Sequence, residues 1–299
     1  MRIRFGPSGN SESFYEKGYK RTSQEPEYLC SMGLDAFEYS FGKGVRMSEG
    51  TATEIRLAMK ERDIALSVHA PYYINLCVDD PERIEKNRRY FTETAKAAVL
   101  LGADRAVFHP GAVTDMSRER AMALARPLLS DILNELSDLG YDSVSFCPET
   151  MGKLNQLGTL DEIITLCAGD DRLIPAVDFA HLHARSGGGL VESADFARIL
   201  NALEDGLGLE RTKNLHIHFS TVEFTKMGEK RHMTFSDEGY GPRFEYLVPL
   251  LAERGYTPRV ICESAGTMAE DAAAMRAAFE MAEKTLKNLN NSAVARHVK

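Results

Sequence analysis

Three histidines and three carboxylates each stand at or near the end of a short apolar run, a pattern typical of a metal centre. The six residues are His69, His109, Glu149, Asp178, His216 and Glu263. Imidazole nitrogens and carboxylate oxygens together suit zinc or a similar first-row divalent ion. Carboxylates crowded together without cations would repel and shift each other's pKa values, so the pattern predicts bound metal.

Each of these residues also has an ordinary explanation when it is considered alone. A histidine at a strand end often bonds a carbonyl group, and a carboxylate there often caps the next helix. The pair Asp178 and His181, three residues apart, is one such weak signal. Its recurrence on six successive segments favours a shared metal site over six unrelated packing roles.

Further imidazoles lie near these positions. We expect His181 and His232, in the segments that follow two of the strands, to contribute to the site. His218 shares one strand face with His216 through the two-residue period, so both rings could point into the site. For His218, ligation and simple packing both remain open, whereas His183 is expected to be loop surface.

Alternating strand-like and helix-like segments must position these side chains. The predicted strands are Arg2–Phe5, Ala36–Tyr39, Ala65–His69, Arg105–His109, Ser143–Cys147, Leu173–Asp178, Asn214–Phe219 and Pro258–Glu263. Such alternation implies an α/β fold with a parallel sheet. A count of eight strands favours a (β/α)8 TIM barrel, as a single domain that spans residues 1–299. Active sites of this fold form at the C-terminal ends of the strands, where the candidate residues fall.

Local signals mark the predicted helix boundaries. Capping-box spacing occurs in the pairs Thr51 and Glu54, Thr159 and Glu162, and Thr267 and Glu270. Asp80 followed by Pro81 predicts a helix that runs to about Leu101. The polar tail after about Leu289 is predicted to fray.

Composition constrains the setting of the protein. A formal net charge of −8 argues against broad attraction to nucleic acid, although metals would make a local positive site. Five widely spaced cysteines predict small buried thiols in a reducing compartment. No apolar run approaches the roughly 18–20 residues of a membrane span, and the chain begins with a strand-like segment, so a cytoplasmic protein is expected.

Several of these segments together resemble the signatures of the endonuclease IV family. They are His69–Leu76, Val107–Ala112, Pro148–Thr150, Asp178–His181, the single residue His216, and Ile261–Ser264. That family comprises zinc-dependent apurinic/apyrimidinic (AP) endonucleases of the xylose-isomerase-like barrel superfamily. The similarity runs in order across nearly the whole chain and implies zinc ions at the barrel mouth.

The resemblance implies a ligand set for each of three ions. The first would be held by His69, His109 and Glu149, and the second by Glu149, Asp178, His216 and Glu263. The third would be held by His181, His232 and an aspartate two residues before the latter.

The aspartate position departs from the family pattern. Lys230 stands there, and a protonated amine does not ligate zinc. Either Glu229 or His218 replaces the lost ligand, or two ions suffice and Lys230 offers its charge to a phosphate. The strand sequence around His216 and the loop Gly6–Asn10 also depart, which indicates a divergent member of the family.

The activity that the resemblance implies is incision of damaged double-stranded DNA on the 5′ side of an abasic site. A hydroxide shared by two zinc ions would attack the phosphodiester, with Glu149 bridging the metals and Glu263 accepting a proton. We expect a monomer with no membrane partner. The runner-up is a metal-dependent sugar or sugar-phosphate isomerase or epimerase on the same barrel, and a third possibility is a barrel that binds damaged DNA without cutting it.

Substrate contacts are expected from the loops. Tyr72 and Tyr73 follow the His69 strand, and either enter the DNA stack or pack a loop on the barrel rim. Basic loop residues that could meet phosphates are Lys43, Arg46, Lys153, Lys226, Lys230 and Arg231.

Overall fold

Eight parallel strands line the centre of the computed structural model, which describes residues 2–297. They are β1 Arg4–Pro7, β2 Ala36–Ser40, β3 Ala65–His69, β4 Arg105–Phe108, β5 Ser145–Pro148, β6 Ala176–Asp178, β7 His216–Phe219 and β8 Arg259–Cys262. Most strand residues are buried, as expected where helices cover the sheet outside and side chains fill it inside.

The strands form two runs of four that close into a ring. One half has the order β2-β3-β4-β5 and the other has the order β6-β7-β8-β1. Isolated parallel bridges join the halves, between Ser8 and Glu38 on one side and between Glu149 and Ala176 on the other. The predicted (β/α)8 barrel is therefore confirmed.

Helices surround this ring. Within residues 2–297 they are α1 Glu12–Glu16, α2 Glu25–Ser31, α3 Glu49–Glu61, α4 Pro81–Leu101, α5 Arg118–Asp138, α6 Leu160–Ala168, α7 Phe179–Arg185, α8 Ser193–Leu207, α9 Leu209–Lys213, α10 Val248–Glu253 and α11 Met268–His297. Two antiparallel pairs of short strands lie outside the ring. Gly111–Ala112 pairs with Gln156–Leu157, and Thr221–Thr225 pairs with Gly228–Met233 in what we call the mouth hairpin.

The boundaries of α4 and α6 agree with the sequence signals. The Asp80 carboxylate accepts the Arg83 N–H at 2.9 Å, and Gly102 ends α4 with a φ of 73°. At α6 the capping box forms, because Thr159 Oγ1 accepts the Glu162 N–H at 3.2 Å and the Glu162 carboxylate accepts the Thr159 N–H at 2.8 Å.

Two other helix starts differ from the prediction. The prediction at Thr51 is wrong, because the upstream Ser48 side chain accepts the Thr51 N–H at 3.1 Å and starts α3 earlier. At α11 the Ala269 N–H bonds to Ser11 Oγ at 2.8 Å, so the cap comes from the opposite end of the chain. Backbone helix continues past Leu289 to residue 297, and the last two residues of the predicted frayed tail lie outside the described residues.

The cysteines are mostly buried, as expected. Cys77, Cys147, Cys167 and Cys262 are buried, and burial raises the pKa of Cys77 to about 11, which keeps its thiol protonated. Cys30 is exposed, contrary to the prediction, because α2 turns its other face, with Tyr28 and Leu29, towards the core. Among residues 2–297 no helix combines the length and apolar character that a membrane crossing needs, and the cytoplasmic location stays a prediction.

Candidate metal centre at the barrel mouth

Six successive strands bring metal-capable side chains to one end of the barrel. His69 ends β3 and Asp178 ends β6, His218 lies within β7, and the residues directly after β4, β5 and β8 are His109, Glu149 and Glu263. The carboxyl ends of parallel strands meet at one face, so these side chains converge although they are distant in sequence.

The first group contains His69, His109 and Glu149. The Nε2 atoms of the two imidazoles lie 3.3 Å and 3.1 Å from the same carboxylate oxygen, Glu149 Oε2. Each residue offers a ligand atom within 4.8 Å of the others. The sequence prediction for this group agrees with the geometry, and its occupation by metal stays a proposal.

The second group contains Glu149, Asp178, His218 and Glu263. His218 Nδ1 lies 3.0 Å from Glu149 Oε1 and 3.5 Å from Glu263 Oε1. His218 therefore occupies the place predicted for His216, and that prediction is corrected. The two histidines share a face of β7, but His216 at the strand start lies deeper, with Nε2 3.0 Å from Glu38.

The third group contains His181, His232 and Glu229. His181 Nε2 lies 3.3 Å from Glu229 Oε2, and the two imidazole rings lie 5.4 Å apart between centroids. Asp178 also offers an oxygen within reach of both histidines. Glu229, one position before Lys230, thus places a carboxylate beside His181.

A β-bulge in the mouth hairpin explains why Lys230 is absent from this group. Glu223 pairs with Arg231 and the next residue, Phe224, pairs with Glu229, so Lys230 is the extra residue. Its Nζ lies 2.6 Å from Glu223 Oε1, on the exposed side of the hairpin. The bulge reverses the alternation of faces, which lets Glu229 and His232 face the same site.

Neighbouring acceptors fix the orientation of three histidine rings. The remote nitrogens each lie 2.8 Å from an oxygen, in the pairs His69 Nδ1 with Ala70 O, His181 Nδ1 with Thr150 O, and His232 Nδ1 with Ser220 Oγ. These contacts place the ring proton on Nδ1. Nε2, on the opposite side of each ring, is then the nitrogen that can bind a cation in place of a proton.

The donor set fits divalent cations. Asp178 is fully buried, and its Oδ1 accepts the His181 N–H at 2.7 Å as the N-cap of α7. Its Oδ2 is buried and has no hydrogen-bond partner among residues 2–297. A buried carboxylate oxygen without a partner is costly, and a bound cation would satisfy it.

The environment separates the pKa values of the two central glutamates. Burial raises the pKa of Glu263, although the positive charge of His218 offsets part of the effect. Burial acts on Glu149 as well, but the charge of His218 and three histidine hydrogen bonds hold its pKa well below the usual range. Burial would lower the pKa of His181, whereas Asp178 and other carboxylates raise it to about 9. Acid–base sites often contain two carboxyl groups whose pKa values differ, as those of Glu149 and Glu263 do.

The groups open into a cavity of about 630 Å³ at the barrel mouth. Tyr72 lines this cavity, is 57% exposed, and packs with its ring centroid 5.5 Å from that of His109. Tyr73 instead lies beside Tyr90, at 6.1 Å between centroids. Of the two predicted aromatic contacts, the structure thus brings Tyr72 to the site.

Basic side chains at the mouth are partly neutralised. Lys153 and Arg231 line the cavity. Arg231 Nε lies 2.7 Å from Glu223 Oε2, so this one glutamate pairs with both Arg231 and Lys230. Ion pairing reduces the positive charge that the hairpin offers to a phosphate.

The sequence did not correctly predict the setting of two buried residues near the site. His183 lies in α7 rather than on a surface loop, is 6% exposed, and accepts the Leu190 N–H at 3.2 Å. Glu38, in the middle of β2, is fully buried, although sequence analysis did not single it out. A glutamate inside a predicted barrel strand was the available signal, because such strands are buried on both faces.

Sequence comparison identifies related proteins. The model of the family described as xylose isomerase-like TIM barrel matches residues 26–285. An uncharacterized protein of Methanocaldococcus jannaschii is 35% identical over 80% of this chain and 85% of that protein. A probable endonuclease 4 of Acholeplasma laidlawii is 32% identical over 57% of this chain, and the match spans 58% of that relative's length.

Structural comparison supports the fold. Endonuclease IV from Thermus thermophilus superposes with a TM-score of 0.66 at 21% identity, covering 94% of this chain and 99% of that one. A D-tagatose 3-epimerase-like protein superposes with a TM-score of 0.68 at 17% identity, covering 97% and 100% respectively. At these identities the likeness establishes a shared barrel.

Proposed function

This chain belongs to the xylose isomerase-like TIM barrel family, and from that membership we propose that it is a metal-dependent phosphodiesterase that incises DNA 5′ to abasic sites. The relatives named probable endonuclease 4 and the sequence motifs at the strand ends support this choice. Because these relatives match over little more than half of their length, the substrate is part of the proposal.

The observation that carries the proposal is the shared carboxylate of Glu149. Its Oε2 faces His69 and His109, whereas its Oε1 faces His218 at 3.0 Å. A carboxylate that presents each oxygen to a different donor group suits a bridge between two cations. Paired cations serve in-line displacement at phosphorus, because they stabilise both the attacking and the leaving oxygen.

We assign the metal ligands from these groups. The first ion would be held by His69, His109 and Glu149, and the second by Glu149, Asp178, His218 and Glu263. A third would be held by His181 and His232, with Asp178 in reach of both and Glu229 beside His181. The mixed nitrogen and oxygen donors favour zinc. When bound, such ions acidify a water molecule and neutralise charge that develops on phosphate oxygens.

The chain's own side chains supply the remaining functions. Glu263, whose pKa is raised by burial, would hold or release a proton at the reacting phosphate. Tyr72 presents an exposed ring beside His109, where it would contact the DNA next to the abasic site. Lys153 and Arg231 line the cavity and would meet phosphates of the backbone.

A sugar or sugar-phosphate epimerase is the second candidate function. Glu223 neutralises both Lys230 and Arg231, and the formal net charge is −8, so the mouth offers little free positive charge to a long polyanion. A cavity of about 630 Å³ also suits a small sugar. In that reaction two carboxylates would move a proton next to a carbonyl group.

Incubation with a duplex that carries one abasic site tests the proposal. We expect metal-dependent incision on the 5′ side that leaves a 3′-hydroxyl, stops with a chelator, and falls about 10²–10⁴-fold in Glu263→Gln. Glu245→Gln, a change at an exposed position, is the matched control. Metal-loaded protein that leaves this duplex intact but epimerises a ketose would overturn the nuclease in favour of the second candidate.

A further inference from the structure

We propose that Glu38 is the positioning residue for His218, and that its carboxylate keeps the ring proton on Nε2 so that Nδ1 serves as the metal ligand. The inference rests on the metal centre of the proposed function. It holds for either substrate class, because it concerns how a ligand is oriented. Glu38 lies outside the sequence motifs that predicted the metal ligands.

The geometry around Glu38 supports this role. Glu38 and His218 are both fully buried, and Glu38 Oε1 lies 3.0 Å from His218 Nε2. The opposite nitrogen of the same ring, Nδ1, lies 3.0 Å from Glu149 Oε1. The imidazole thus stands between a carboxylate of the barrel interior and the carboxylate shared by the metal groups.

Comparison with the other histidines shows what is special about this ring. His69, His181 and His232 direct Nδ1 to a carbonyl or hydroxyl oxygen and Nε2 to the metal groups. His218 has the reverse orientation, because Nδ1 faces the metal groups and Nε2 faces the Glu38 carboxylate. That carboxylate carries a full negative charge. A carboxylate behind a ligating imidazole fixes its tautomer and raises its basicity, which strengthens the bond to the metal.

Glu38 is itself held in place by buried neighbours. Ser67 Oγ donates to Glu38 Oε2 at 2.9 Å, and His216 Nε2 lies 3.0 Å from the same oxygen. The Glu38 carbonyl accepts the Gly9 N–H at 2.9 Å, at the bridge that joins β1 to β2. These contacts hold the Glu38 carboxylate in one position. A fixed carboxylate can define the orientation of the His218 ring, whereas a mobile one could not.

A cation inside the barrel is the competing explanation for this cluster. Glu38, His216 and His218 offer ligand atoms within 4.8 Å of one another, and the two Nε2 atoms lie 3.2 Å apart. Occupation there together with the second group would require His218 to bind metal through both nitrogens and to lose its ring proton. The negative charge of Glu38, whose oxygens lie 3.0 Å from the Nε2 atoms of His216 and His218, stabilises ring protons on those nitrogens without that cost.

Metal affinity in two Glu38 variants tests the inference. Glu38→Gln retains one acceptor oxygen and Glu38→Leu retains none. We expect chelator competition to show one ion bound roughly 10-fold more weakly in the first and up to about 100-fold more weakly in the second, with the other ions unchanged. His216→Gln, which keeps an N–H donor for Glu38, is the control and should change affinity far less.

A measurement on the zinc-loaded protein separates positioning from general damage. Nitrogen-15 NMR of that protein should show the His218 ring proton on Nε2 in the wild type and a shift of that proton towards Nδ1 in Glu38→Leu. Unchanged affinity and tautomer in both Glu38 variants would overturn the inference, and so would an equal loss of metal in His216→Gln. Wild-type protein that binds no metal would instead refute the proposed function.

Discussion

At the scale of single residues, the third group depends on one bulged position. The structure brings Glu229 to within 3.3 Å of His181, whereas Lys230 pairs with Glu223 on the exposed side. Sequence spacing alone could not choose between these neighbours, because it counts residues and does not register a bulge. The extra residue changes which side chain faces the metal groups.

Substitution of these two neighbours tests the third group. We expect Glu229→Gln to lower the zinc content by one ion per chain, because the amide is a weak ligand. Lys230→Ala should leave the zinc content unchanged, because its amine contacts Glu223 and not the histidines. Elemental analysis of protein purified without chelator measures both. Loss of an ion in Lys230→Ala with full content in Glu229→Gln would contradict the assignment.

At the scale of elements, strand register decides which histidine of β7 reaches the second group. In the pairing of β6 with β7, Asp178 lies opposite His218, whereas His216 lies opposite Ala176. The two-residue period predicted that both histidines share a face, and the structure agrees. Their depth in the barrel follows from the pairing of separate strands, which the sequence of β7 alone does not contain.

The contrast between local sequence patterns and contacts between distant segments also explains which parts of the fold were predictable. Barrel class and the boundaries of α4 follow from local patterns, and both are confirmed. The start of α11 depends on Ser11, which lies at the far end of the chain, so local spacing could not identify that cap. Contacts between segments far apart in the sequence also determine the part of the site that the sequence did not predict.

Helix α2 begins with a buried acid, Glu25, which should make the free energy of unfolding depend on pH. Glu25 is fully buried, neither carboxylate oxygen has a hydrogen-bond partner among residues 2–297, and burial raises its pKa from 4.5 to about 8. Between these values the unfolded chain releases this proton and the folded protein keeps it. Glu25 therefore lowers the free energy of unfolding as pH rises, by up to about 1.4 kcal/mol per pH unit.

Replacement of this acid by its amide checks the effect. We expect Glu25→Gln to match the wild type at about pH 4 and to exceed its free energy of unfolding at about pH 9. Urea unfolding at several pH values gives the difference between the two proteins, in which pH effects from other groups cancel. Glu27→Gln, at an exposed position of the same helix, is the control. A difference that does not grow with pH would contradict the burial argument.

At the scale of the whole molecule, the metal groups span both halves of the barrel. His69 and His109 come from the half formed by β2 to β5, whereas Asp178, His218 and Glu263 come from the half formed by β6, β7, β8 and β1. Glu149 lies at one of the two isolated bridges that join the halves. Bound cations would therefore hold the two halves together across the mouth.

Metal removal should then loosen the junctions more than the interior of each half. Without cations, buried carboxylates repel one another across the ring, which favours local opening there. We expect a chelator to speed hydrogen exchange of the Thr150 N–H, bonded to Ala176 at 3.0 Å, and of the Gly9 N–H, bonded to Glu38 at 2.9 Å. The Ser145 N–H, bonded within one half at 2.9 Å, should stay protected, and added zinc should restore the junctions. Uniform exchange across all three amides would show that the metals stabilise the barrel as a whole and do not join its halves.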